Sequence, residues 1–74
     1  MQAIKVLAFW DEEAHVWVAE SDNVPGLITE AATLEALSAK LEVMIPELLE
    51  ANGSSFPVNS PIHLEARREL HPVI

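Results

Sequence analysis

Asp22-Asn-Val-Pro-Gly-Leu-Ile-Thr-Glu-Ala-Ala-Thr-Leu-Glu-Ala-Leu37 decides the fold of this chain. It holds a turn, a short apolar strand and the start of a long helix. Pro25-Gly26 suits the two central positions of a type II turn, because proline fixes φ and glycine supplies φ above zero. Leu27 to Glu30 then reads as a short strand. Thr33 is placed to cap the helix that follows, its hydroxyl accepting from the first turn. Glu35 puts a negative charge where the helix dipole favours one.

Working outward, the helix is expected from about Leu34 to Ala51. Leu34, Leu37, Leu41, Met44, Ile45 and Leu48 recur at three- and four-residue spacing and make one apolar stripe. Pro46 deprives the Glu42 carbonyl of its donor, so a kink or a split is expected there. Asn52-Gly53 is a stop signal. Upstream, Ile4 to Trp10 and Ala14 to Ala19 are β-rich runs separated by Asp11-Glu12-Glu13, which reads as an antiparallel hairpin. With Glu12 and Glu13 as the central pair, Asp11 faces Ala14, Phe9 opposes Val16 and Leu7 opposes Val18. Downstream, residues 62–70 alternate, with Ile62, Leu64, Ala66 and Leu70 against His63, Glu65, Arg67 and Glu69. A helix starting at Ser60-Pro61 competes with this, since Ile62, Ala66 and Leu70 also fit a four-residue spacing. The alternation favours a strand. The order is then β-β-β-α-β, an α+β fold with an antiparallel-rich sheet and one long helix on one face.

Side chains on a strand alternate between faces. Leu7, Phe9, Val16 and Val18 therefore share one face, and Val6, Ala8, Trp10 and Trp17 share the other. Both are largely apolar, and one helix covers one face only. The second set is expected to face water and to form a partner or oligomer interface, because large apolar patches on soluble monomers mark interfaces and tryptophan is enriched at their hot spots. The alternative is that residues 70–74 fold over that face.

Composition bounds the function. The sequence has 74 residues, half of them hydrophobic, and no cysteine. One domain, residues 1–74, is expected, with a core too small to be generously stable and no disulfide to staple it, a setting in which oligomerisation is a common remedy. Twelve acidic side chains against four basic ones give a formal charge of -8. That field repels phosphate backbones and attracts basic partners, so direct nucleic-acid binding is not expected. There is no signal-peptide pattern and no apolar run near the ~18 residues of a membrane span. A soluble, cytoplasmic protein is expected.

No catalytic motif is present, whether a P-loop, Gly-x-Ser-x-Gly or His-Glu-x-x-His. His15, His63 and His71 lack the i, i+4 pairing of a helical metal site. Asp11, Glu12 and Glu13 cluster at an open hairpin tip, where neither burial nor a shaped pocket is suggested, so acid–base work is not expected of them. No catalytic residue, metal or cofactor is expected. The competing reading is a small metal-dependent nuclease, which needs carboxylates converging from separate elements.

Val24-Pro-Gly-Leu-Ile-Thr-Glu-Ala31, followed by Thr33-Leu-Glu-Ala-Leu37, resembles the signature of HicB-like antitoxin domains. Trp17 to Ser21 is similar to the strand before that family's turn. Met44 to Leu49 and Pro61 to Leu64 resemble a short, stand-alone subgroup. Over residues 3–66 the resemblance implies a partial RNase H-like fold without a working nuclease site. It also implies a partner, a small basic ribonuclease toxin of the HicA type whose RNA-binding surface the antitoxin masks. Pro25, Gly26 and Thr33 are the residues that carry the motif. The family's DNA-binding segment has no counterpart in these residues, so operator binding is not expected. The resulting expectation is a non-enzymatic binding module, homo-oligomeric with a dimer favoured. A purely structural dimer without a toxin partner stands beside it.

Overall fold

A computed structural model describes residues 3–74. The elements are β1 (Ile4–Asp11), β2 (Val16–Glu20), β3 (Ile28–Ala31), α1 (Leu34–Ala51) and β4 (Ile62–Arg67). This is an α+β arrangement in the expected order, a four-stranded mixed sheet with one helix. The strands lie in the order β3-β2-β1-β4. β1 pairs antiparallel with β2 and parallel with β4, and β2 pairs antiparallel with β3. The parallel pair requires a long crossover, and α1 supplies it on its way from β3 to β4.

The local signals are realised by specific bonds. Leu27 N–H donates to the Val24 carbonyl at 3.1 Å, and Gly26 has φ 86°, which makes Pro25-Gly26 a type II turn. Strand β3 starts one residue later than expected, because Leu27 turns into the core instead. The Thr33 hydroxyl accepts from Ala36 N–H at 3.0 Å and caps α1. At the other end Ser54 N–H reaches the Leu49 carbonyl at 3.0 Å and Gly53 N–H the Glu50 carbonyl at 3.2 Å, with Gly53 at φ 59°. That is a Schellman closure.

Pro46 does not split the helix, which runs unbroken from Leu34 to Ala51. The carbonyl it deprives belongs to Glu42, an exposed residue, so water can take the place of the missing N–H. The stripe of buried residues is Leu37, Leu41, Ile45 and Leu49, with Leu34, Met44 and Leu48 half-buried beside it. Leu49 belongs to the core although the expected stripe stopped at Leu48.

Two expectations are corrected. First, the hairpin register is Asp11↔Val16, Phe9↔Val18 and Leu7↔Glu20, two residues away from the expected pairing. Asp11 causes the shift. Its carboxylate accepts from Glu13 N–H at 3.0 Å and Ala14 N–H at 3.1 Å, its carbonyl accepts from His15 N–H at 2.8 Å, and His15 takes φ 55°. The connection is therefore a self-capped four-residue loop rather than a two-residue turn. Because the shift is an even number, the face each side chain occupies is preserved.

Second, the helix lies on the other face from the one expected. Val6 is 2% exposed and Ala8 is fully enclosed, and both join Ile4, Ala19 and Ala31 in one cluster with the helix stripe. Trp17 is half-buried and packs against that cluster, and Trp10 is half-buried next to it in the sheet. Val6 and Ala8 therefore cannot form an interface without unpacking the monomer. The physical reason is side-chain size. Ala8, Ala19 and Ala31 leave a shallow floor on which a helix bearing four large aliphatic residues can settle closely, at the density of a protein interior. The opposite face carries larger side chains.

Candidate interaction surface

The register fixes what lies on the open face. One row across the sheet is Ile28, Glu20, Leu7 and Glu65, and the next is Glu30, Val18, Phe9 and Arg67. Asp11 and Val16 follow toward the hairpin tip, and Lys5 and His63 lie at the other end. The centre is thus Leu7, Phe9, Val16 and Val18. Asp11, Glu20, Glu30 and Glu65 stand around it. Phe9 is 36% exposed and Ile28 79%. Leu7, Val16 and Val18 are half-buried.

At the Lys5 end the face dips into an open basin of about 540 Å³, lined among others by Lys5, Leu7, Glu20, Asp22, His63 and Glu65. The wall at residues 21–23 is built because β2 ends at Glu20 while β1 continues. The orphaned backbone of Lys5 is satisfied by side chains: Asn23 Oδ1 accepts from Lys5 N–H at 2.8 Å, and the Ser21 hydroxyl donates to the Lys5 carbonyl. Strand backbone groups left without a ladder neighbour need such partners, and here the loop extends the ladder by two polar side chains.

On the helix side, at the hairpin tip, aromatic groups gather. Trp10 and Trp17 meet edge to face with centroids 5.5 Å apart, and His15 meets Trp10 at 6.1 Å. The Arg68 guanidinium lies 4.3 Å from the Trp10 ring centroid. Such a contact is worth about 0.5–1 kcal/mol at an exposed site, and it pins the chain just beyond β4. Trp10 Nε1–H is buried with no acceptor among the described residues.

The positions singled out in the sequence divide as follows. Pro25, Gly26 and Thr33 form the turn and the cap, and they are exposed. Val6 and Ala8 are core. Trp10 and Trp17 are half-covered, in the tip cluster. Asp11 spends its carboxylate on its own loop. Among the described residues no three His, Asp or Glu side chains come close enough to hold one metal ion. Sequence reasoning missed Leu7, Phe9, Val16 and Val18 as the outward set. The contrast between alanines on one face and bulky residues on the other was the signal that could have found them.

A small α+β domain with a four-stranded sheet, helix on one side and an uncovered apolar face on the other is the class that this geometry defines. The chain belongs to the family described as a domain of unknown function, DUF1902, whose profile matches residues 3–74. It is similar to a hypothetical protein of the extremely thermophilic bacterium Thermus thermophilus, known from a crystal structure. The two are 56% identical, with a TM-score of 0.77 over 99% of this chain and 100% of the other. No curated protein matches the chain. Among the described residues no helix is long and apolar enough to cross a membrane.

Proposed function

We propose that this chain is a non-enzymatic protein-binding module of HicB-like character that works as a homo-oligomer, in the first instance a dimer, and neutralises a small basic HicA-like ribonuclease toxin. The open sheet face carries the reading. An apolar centre of Leu7, Phe9, Val16 and Val18 within a frame of acids is a surface that water covers poorly and a protein partner covers well. The element order β-β-β-α-β supports a partial RNase H-like scaffold. The Pro25-Gly26 turn leading into a Thr33-capped helix supports the family resemblance. The charge of -8 supports a basic partner, with the outward acids of α1, among them Glu35, Glu42 and Glu50, as its natural contacts. The reading places the pair in the cytoplasm, where a ribonuclease meets messenger RNA.

Affinity capture of partners by the folded chain, in lysate of its own host, tests the toxin half. Recovery of a small basic protein that cleaves RNA when free and not when bound is the expected result. If only further copies of this chain are recovered, the module is a structural dimer and the toxin assignment fails. Sedimentation tests the oligomer half, with a species above the 8.1 kDa monomer expected.

A further inference from the structure

We propose that the open face of the sheet is covered by residues 68–74 of a second copy of this chain, the two copies exchanging these segments reciprocally. The inference rests on the self-association reading above and names the surface and its occupant.

Four observations carry it. The segment is apolar and unsheltered: Leu70, Val73 and Ile74 are 76%, 101% and 115% exposed. It is also launched in a fixed direction. Its root is held by Arg68 against Trp10, and β4 runs parallel to β1, toward the hairpin tip. It does not turn back over its own sheet. An 18-residue helix spans about 27 Å, yet the molecule measures 50 Å along its longest axis.

Composition suits this segment as the occupant. Residues 68–74 carry one arginine against one glutamate, whereas the 67 residues before them carry eleven acids against three basic side chains. The segment is thus neutral in side-chain charge, and the acids around the open face do not repel it as they would the strongly acidic body of a second copy. Its exposed Leu70, Val73 and Ile74 match the apolar centre of that face.

The area suffices. Seven extended residues reach about 23 Å, and a ribbon about 10 Å wide hides on the order of 500 Å² counting both surfaces. Two such ribbons meet the roughly 1,000 Å² that a specific interface needs. A reciprocal exchange has closed two-fold symmetry, so it stops at the dimer.

Sedimentation of the full chain and of the triple variant Leu70→Ser, Val73→Ser, Ile74→Ser gives the first test. The expected result is a dimer for the parent and at least a tenfold weaker dimer for the variant. The variant's fold is checked by an unchanged circular dichroism spectrum, since none of the three side chains supports the monomer. A variant that dimerises as tightly as the parent overturns the exchanged segment while leaving self-association in place. A parent that stays monomeric at millimolar concentration overturns both. Because the chain has no cysteine, partners can also be mapped by disulfide trapping. Val73→Cys mixed with Val18→Cys or Phe9→Cys should give a cross-linked dimer of the two different variants. Trapping of Val18→Cys with itself as efficiently as in the mixture would instead show two open faces packed together, and the proposal would fall.

Discussion

Val6 and Leu7 are neighbours in β1 that point to opposite sides of the sheet, and truncating each to alanine tests which side holds the core. Val6→Ala removes two carbon groups from a residue 2% exposed. At about 0.8 kcal/mol for each carbon group the transfer loss is about 1.6 kcal/mol. A residual void of about 40 Å³ under a helix adds about 1 kcal/mol at ~24 cal/mol per Å³. The expected loss is therefore ~2.5 kcal/mol, set against a whole-domain stability on the order of 4–11 kcal/mol for a chain of this length. Leu7→Ala deletes more carbon but from the open face. There it loses only cross-strand contacts, of a kind worth about 0.2–1 kcal/mol. Urea unfolding followed by circular dichroism, at a concentration where sedimentation shows monomer, measures both. The smaller truncation should move the midpoint at least twice as far as the larger one. Equal losses, or a larger loss for Leu7, would refute the placement of the helix over Val6, Ala8 and Ala19.

Three further substitutions probe the helix, its C-terminal turn and the tip cluster. Pro46→Ala restores a donor to the Glu42 carbonyl inside an intact helix. It should stabilise the chain by about 2 kcal/mol, a helix-interior gain of roughly 3 less up to about 1 for the freer unfolded chain, read as a rise in the urea midpoint. Gly53→Ala meets no atom within 4 Å of the added carbon but must hold φ 59°. A loss of about 1–2 kcal/mol is expected from backbone conformation alone, with the native circular dichroism spectrum retained. Arg68→Ala removes the cation from the Trp10 ring. It should change tryptophan fluorescence while lowering stability by no more than about 1 kcal/mol, and an emission spectrum identical to the parent would contradict the contact.

Much of the scaffold was legible because its signals are local. Pro25-Gly26, Thr33 and Asn52-Gly53 each act through bonds spanning three to five residues, so composition and spacing suffice to place them. The strand at Ile62–Arg67 was legible from alternation, with Leu70 wrongly included because the pattern outlasts the partner strand. The hairpin register was not legible. It depends on whether the Asp11 carboxylate folds back onto its own loop, and Asp-Glu-Glu is compatible with either closure. Pro46 misled for a related reason. Its penalty is intrinsic, but the helix is held on both sides of it by Leu41, Ile45 and Leu49, and that packing prevails over a single missing bond.

The covered side of the sheet is a different kind of miss, and it bears on function. Period-two alternation sorts side chains into two sets but does not say which set meets the helix. With polar residues on one side the answer is trivial. Here both sets are apolar, so hydrophobicity is silent and volume decides. Alanines at 8, 19 and 31 allow close approach of Leu37, Leu41 and Ile45, whereas Phe9 between Val18 and Arg67 would hold a helix off the sheet. The tryptophans drew attention to the wrong face because tryptophan suggests hot spots, yet Trp17 packs against the core on the helix side and Trp10 packs edge to face against Trp17. The surplus of apolar surface inferred from the composition survives this exchange. It moves to Leu7, Phe9, Val16 and Val18, and there, unlike on the helix side, it lies within a frame of acids. That change of address turns a featureless apolar patch into one with a preferred occupant: a short apolar segment without the acidic excess of the rest of the chain, of the kind this chain itself carries beyond Arg67.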